Sequence, residues 1–320
     1  MELPPDFIST ITNTFGEDGE EWIADLPILI DEASARWGLT NVQPVSNLSY
    51  NFVAFAESPF PSEAPTQGAR RGVRGERNNV VLKIGVPREE LTSEIAALRL
   101  FNGEGACRLI DADEEKGFLL LERLNPGVML SIMEDDEQAT HIGAEVMQMI
   151  WRTAPQDNVF IRLSDWFDGL KRLREMFNGD TGPLNKKLVE RVEQSAKAFF
   201  IENHRPVLMH GDFHHFNILS SERGWLVIDP KGVIGPAGYD VGPFLINPWG
   251  ELSNGITKRR MTERRIDILH EHLGFERERI HEWGLAHAVL SAWWHIEDNT
   301  GGGEYAMNFA EMIANLPLSS

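Results

Sequence analysis

The chain has 320 residues, 42% of them hydrophobic and 25% charged, which is enough for two lobes with ordinary cores. Its formal net charge of −19 argues against DNA or RNA as a partner, since their phosphates need Lys and Arg, and favours either cationic ligands or simple solubility. Cys107 is the single cysteine, so no internal disulfide can form and a reducing cytoplasm suits the chain; MELPPDFIST lacks a signal-peptide pattern, and no run approaches the ~18 apolar residues of a membrane-spanning helix.

Residues 5–38 read as helix, with Trp22, Ile23, Leu26, Ile30, Ala33 and Trp37 at spacings of three and four, and Pro27 is expected to kink or split it. Short strands follow around 42–46 and 50–56. The stretch ESPFPSEAPTQGARRGVRGERNN (57–79) is rich in Pro, Gly and charge and reads as a long, mobile connection within a β-hairpin. VVLKIG (80–85) is a strand, and REELTSEIAALRLF (88–101) is an amphipathic helix with apolar residues at 91, 95, 98 and 101. CRLIDAD (107–113) and FLLLERL (118–124) are strands, and Asn125-Pro126-Gly127 breaks the chain. Helices are then expected over 136–152, 163–177 and 183–202. They are interrupted by LMHGDFHHFNIL (208–219) and the short strands NILSS and GWLVIDP, and helices resume near 240–247, 257–273, 278–297 and 304–315. The fold class is α+β with two lobes: a β-rich lobe over 1–124 and a mainly helical lobe over 125–320.

Five polar residues fall in a telling order. Lys83 is on a strand, Glu94 on the next helix, Asp212 and Asn217 five apart in one loop, and Asp229 at a strand end. This arrangement resembles the protein-kinase-like phosphotransferase fold. Phosphoryl transfer needs charge neutralisation more than covalent help. Lys83 suits the α- and β-phosphates of ATP, with Glu94 pinning it. Asn217 and Asp229 offer the oxygens that Mg²⁺ prefers, and Asp212 can orient an acceptor hydroxyl and take its proton.

The stretches LKIGVPREELTSEIAALRLFNGEGACRLIDADEEKGFLLLERLNPG, HGDFHHFNIL and WLVIDPKGVIGPAGYDVGPFLINP resemble the aminoglycoside/hydroxyurea resistance kinase family, from about residue 40 onward. The resemblance implies ATP-dependent phosphorylation of an aminoglycoside hydroxyl. Phe216 departs from it, standing where the family usually has Gly, and a bulky ring there could reshape the acceptor pocket.

Ten residues separate Asp229 from Asp240, too few for the activation segment of a protein kinase, so a small-molecule acceptor is expected. Pro230 stiffens the turn after Asp229, and Lys231 could touch a phosphate or only a neighbouring carboxylate. SNLSYN (46–51) should cover the nucleotide through Ser49, Asn51 and backbone N–H groups, or else be an ordinary hairpin turn. Adenine should meet the backbone near Glu122–Leu124. At the end of the last long helix, Trp294, Glu297 and Asp298 are candidates for a cationic acceptor, because carboxylates at a helix C-terminus oppose its dipole; a solvated helix end is the alternative. The acidic run 134–137 reads as a solvated loop or helix start.

His214, two residues after Asp212, could contact phosphate or substrate or serve structurally, and His210 should hold the loop. The histidines elsewhere lack the H-E-x-x-H spacing of a zinc hydrolase. Two other readings stand beside the aminoglycoside kinase: a kinase of another small hydroxylated metabolite such as a sugar, amino alcohol or fructosamine, and a non-catalytic nucleotide-binding pseudokinase. The presence of Lys83, Asp212, Asn217 and Asp229 speaks against the second.

Overall fold

The computed structural model describes residues 3–59, 78–156, 158–201, 206–248 and 255–317. Helices α1 (Pro5–Phe15) and α2 (Glu17–Trp37) lead into strands β1 (Thr40–Pro44), β2 (Phe52–Ser58) and β3 (Asn78–Ile84), then helix α3 (Glu89–Phe101) and strands β4 (Leu109–Asp113) and β5 (Phe118–Glu122). The strands form one antiparallel sheet in the order β1-β2-β3-β5-β4. Side chains alternate across it with period two. Val80, Leu82 and Ile84 turn to the layer made by Phe7, Trp22, Leu26 and Trp37, while Lys83 turns to α3. On that side Leu91, Ile95 and Leu98 of α3 meet Leu119 and Leu121.

The first helical segment breaks at Gly16, not at Pro27. Gly16 has φ +60° and its N–H caps Thr12 O, whereas Pro27 stays inside α2. Burial of Trp22 and Leu26 before Pro27, and of Ala33 and Trp37 after it, outweighs the lost backbone hydrogen bond. β1 and β2 lie about two residues away from their expected places at either end. Most of the connection expected over 57–79 lies outside the described residues.

The second lobe is built from β6 (Pro126–Met129), α4 (Asp136–Ile150), β7 (Arg152–Thr153), β8 (Ile161–Arg162), α5 (Leu163–Phe167), α6 (Gly169–Met176), α7 (Lys186–Ile201), β9 (Val207–Met209), β10 (Ile218–Ser221), β11 (Gly224–Val227), β12 (Val233–Gly235), α8 (Val241–Ile246), α9 (Gly255–Leu273), α10 (Arg277–Glu297) and α11 (Gly303–Ala314). α10 is its axis: Ile280, Trp283, Leu285, Ala286, Val289, Leu290 and Trp293 are all buried, so it is packed on every side. No helix among the described residues is long and apolar enough to cross a membrane.

Five strands here, β6, β7, β8, β9 and β12, have no counterpart in the sequence reading; each has only two to four residues. They fix the position of two loops. Sheet β7-β9-β12-β8 sets Val233 opposite Met209, and sheet β11-β10-β6 sets Ile218 opposite Val227. The segment 210–217 therefore hangs between β9 and β10, and Asp229 between β11 and β12, side by side at the face toward α3.

Candidate active site

The alternation of β3 aims Lys83 at α3, where Glu94 falls on the inner face one turn after Leu91. Both groups are buried, at 4% and 5% exposure, and Lys83 Nζ donates to both Glu94 oxygens at 2.7 Å. The same ammonium donates to Asp229 Oδ1. Burial works against the Lys83 charge, but Asp229 and Glu94 outweigh it and raise its pKa. Asp229 has φ +58°, a left-handed conformation that Asp tolerates better than most residues, held by the strands on either side. Burial opposes its ionisation, yet Lys83 and Lys231 keep its carboxyl well below the usual range.

The loop between β9 and β10 is tied from several directions. His210 is fully buried; its Nε2–H donates to Ile228 O (2.9 Å) and its Nδ1 accepts from Asp212 N–H (3.2 Å). Burial lowers its pKa to about 4, which keeps that neutral tautomer. Asn217 Nδ2 donates to Asp212 O (3.0 Å), and Asn217 O accepts from Ile228 N–H (2.9 Å). The Asp212 carboxylate lies 3.4 Å from His214 Nε2. Burial opposes its charge, and His214, Lys231 and His210 reverse that, holding the carboxyl far below the ordinary range.

Asp240, which the sequence reading used only to mark a distance, anchors this loop. It is fully buried at the start of α8 and accepts hydrogen bonds from Gly211 N–H (2.8 Å), His210 N–H (3.2 Å) and Trp151 Nε1–H (3.0 Å). Burial pushes its pKa up to about 6 despite these donors. The available sequence signal was its setting: a carboxylate directly before the apolar run VGPFLI.

The remaining candidates separate. Ser49 is exposed in the loop between β1 and β2, while the Asn51 amide oxygen lies so close to Gly85 that a Cβ there would collide with it; Asn51 thus braces the turn after β3. Glu122 ends β5. Its amide N–H already donates to Arg108 O (3.0 Å), and its carboxylate holds Arg108 N–H (2.8 Å) and the Arg223 guanidinium, with Leu124 just beyond the strand. Phe216 is 39% exposed and stands edge-on to His214 at 5.8 Å. Trp294 packs edge-on against Trp166 (5.4 Å) and His287 (6.0 Å).

Glu297 departs from expectation. It is not an uncompensated charge at the helix end, because Arg172 of α6 grips it with two hydrogen bonds of 2.6 and 3.0 Å. Asp298 is half-buried, and no cation among the described residues pairs with it; burial, with Glu297 and Glu90 nearby, raises its pKa. Tyr50, from the loop between β1 and β2, lies in the field of Asp298, Lys231, Asp212 and Glu90, and burial together with the carboxylates raises its phenol.

The histidines of the loop point to different tasks: His215 stacks on Phe244 (4.1 Å), His210 supports the loop backbone and His214 faces Asp212. Among the described residues no group of three or more His, Cys, Asp or Glu converges as a metal cluster. Asn217 and Asp229 present a different donor set. The bond from Ile228 N–H to Asn217 O brings Asn217 alongside the strand end that carries Asp229; with the Asn217 amide nitrogen committed to the protein, its amide oxygen and the Asp229 carboxylate are hard oxygens of the kind that fit Mg²⁺ bound together with phosphates.

The profile of the aminoglycoside/hydroxyurea antibiotic resistance kinases matches residues 70–299. The chain is 30% identical to the streptomycin 6-kinase of Streptomyces glaucescens over 302 residues, covering 94% of this chain and 92% of that protein. It is 29% identical to the hydroxyurea phosphotransferase of Kitasatospora aureofaciens over 313 residues, covering 96% and 83%. Among solved structures, a thermostable mutant of aminoglycoside phosphotransferase APH(4)-Ia in ternary complex with ADP and hygromycin B superposes with a TM-score of 0.60 at 12% identity, over 91% of this chain and 98% of that one. With its two-lobed, protein-kinase-like α+β fold, the chain belongs to the aminoglycoside/hydroxyurea antibiotic resistance kinase family, a family of small-molecule phosphotransferases.

Proposed function

We propose that this protein transfers the γ-phosphoryl group of ATP to a hydroxyl of a small cationic acceptor, an aminoglycoside such as streptomycin. The observation that carries the acceptor class is the half-buried Asp298 carboxylate with no paired cation among the described residues, in a field shared with Glu90, Tyr50 and Asp212. A guanidinium or ammonium on the acceptor would satisfy Asp298 and bring a neighbouring hydroxyl toward Asp212. The short link from Asp229 to Asp240, folded in part as β12, leaves room for a small acceptor rather than a polypeptide.

In this reading Lys83, braced by Glu94, binds the α- and β-phosphates, while Asn217 and Asp229 hold Mg²⁺. The metal would supply charge neutralisation on the phosphates. Asp212 accepts a hydrogen bond from the acceptor hydroxyl. Because its carboxyl is held so acidic, it orients the oxygen first and takes the proton only as the new bond forms, which suits a loose transition state. The nucleotide belongs to the lobe over 1–124 and the acceptor to the lobe over 125–320. The reading places the protein in the cytoplasm, where ATP is available and the buried Cys107 stays reduced.

ADP release from ATP and Mg²⁺ is measured with streptomycin, other aminoglycosides, hydroxyurea and choline. Stimulation by an aminoglycoside, abolished in Asp212→Ala, is expected. Stimulation only by an uncharged acceptor would overturn the acceptor class, and turnover unchanged in Asp212→Ala would overturn the mechanism.

A further inference from the structure

Lys231 is the second ammonium at Asp229, and it is held differently from the first. Lys83 commits its hydrogen bonds to Glu94 and Asp229. The Lys231 Nζ stands 4.0 Å from Asp229 Oδ2, close enough for an ion pair but too far for a direct hydrogen bond. No hydrogen bond to that nitrogen forms among the described residues. The root of the side chain, by contrast, is clamped. Lys231 N–H donates to His210 O (2.8 Å), and Ser93 Oγ–H donates to Gly232 O (2.6 Å). Gly232 has φ +66°, with the Ser93 carbonyl where a Cβ would stand. The stem therefore starts from a fixed point and carries uncommitted donors into the cleft, where a quarter of the side chain is exposed.

The side chain leaves the backbone beside the loop that carries Asp212, since Lys231 N–H is bonded to His210 O and a Cβ on Gly211 would lie 3.3 Å from Lys231 Cβ, while its ammonium pairs with Asp229. In the phosphotransferase reading, on which this inference rests, Asp229 lies on the phosphate side of the reacting centre and Asp212 on the acceptor side. A cation rooted beside the one and paired with the other lies along the path between them. We propose that Lys231 is a catalytic residue whose ammonium donates to the oxygens of the phosphoryl group in transit. The bond from γ-phosphorus to the leaving β-phosphate oxygen breaks, and the bond from the acceptor oxygen to that phosphorus forms. The hydroxyl proton goes to Asp212, and Lys231 keeps its own proton throughout. Lys83 grips the part of the nucleotide that stays behind, and Lys231 follows the part that moves.

The test compares Lys231→Gln and Lys231→Arg with the wild type in the full-length protein. Calorimetry with Mg²⁺ measures binding of AMP-PNP and of ADP with aluminium fluoride, a planar mimic of the group in transit; kcat and melting temperature are measured in parallel. Lys231→Gln is expected to weaken the planar mimic about 100-fold and to lower kcat about 100-fold or more, with AMP-PNP affinity within about threefold. Lys231→Arg should recover part of both losses while melting like the wild type. Equal effects on the two nucleotides, or kcat and mimic binding unchanged in Lys231→Gln, would overturn the proposal and leave Lys231 as a charge balancer. If Lys231→Gln does not fold, Lys231→Arg decides: a kcat loss without selective loss of the planar mimic overturns the proposal as well. A wild type that transfers no phosphoryl group and binds no nucleotide would instead sink the phosphotransferase reading itself.

Discussion

Replacing Asp240 by Asn tests the anchor of the catalytic loop. The carboxylate accepts from Gly211 N–H on one oxygen and from His210 N–H and Trp151 Nε1–H on the other. Asn keeps one acceptor oxygen, so its amide nitrogen faces at least one buried donor. Each lost charge-assisted bond costs about 1.5–3 kcal/mol, and an orphaned buried donor about 1–3 kcal/mol more. Against this, wild-type Asp240 is destabilising when ionised: its pKa rises from 3.8 to about 6, a burden of about 3 kcal/mol at neutral pH that Asn does not carry. The net change for Asp240→Asn at pH 7 therefore runs from near zero to a loss of about 3 kcal/mol.

The sign of the pH dependence sharpens the test. A raised folded-state pKa contributes stability that is present below the unfolded value, 3.8, and is lost as pH rises through about 6. The gap between wild type and variant should therefore widen by about 1 kcal/mol from pH 7 to pH 5. Urea unfolding at the two pH values measures it. Because Gly211 and His210 position Asp212, kcat should also fall about 100-fold. A variant as stable as wild type at both pH values, with kcat within about twofold, would refute the anchoring argument; so would a gap that narrows on acidification.

His287 moves the other way. It is buried beside Tyr239, whose hydroxyl meets its Nδ1 at 2.9 Å, and burial lowers its pKa from 6.5 to about 4. Its contribution is present above 6.5 and lost as pH falls toward 4, amounting to about 2 kcal/mol at pH 5, so His287→Gln should flatten the acid limb of the stability curve in urea titrations by that much. At the end of α10, Glu297→Gln removes a partly exposed ion pair with Arg172 and should change stability by less than about 1 kcal/mol and leave acceptor KM unaltered. Asp298→Asn should raise acceptor KM about tenfold with little change in stability; steady-state kinetics on the two variants separates the carboxylate that binds from the one that braces.

The comparison of these two carboxylates shows where sequence reading runs out. Glu297 and Asp298 are adjacent, and helix periodicity treats them as a pair opposing one dipole. Arg172 lies 125 residues away in the chain and reaches Glu297 because α6 crosses α10. No local pattern encodes that crossing. The break at Gly16 has the same origin, since the proline rule is local and the burial that overrides it around Pro27 is not. The five short strands were illegible because two to four residues cannot display a period.

The order and types of Lys83, Glu94, Asp212, Asn217 and Asp229, the sheet followed by helices, and the family were all legible in the sequence, because strand and helix periods and loop spacings are properties of neighbouring residues. Tertiary structure alone decided which charges are already spent. It gave Glu297 to Arg172, gave three buried donors to Asp240, committed Lys83 to Glu94 and Asp229, and among the described residues left the ammonium of Lys231 without a hydrogen bond and the carboxylate of Asp298 without a paired cation. Charges pair through space across a low-dielectric interior, and the distances that decide those pairs exist only once the elements have packed.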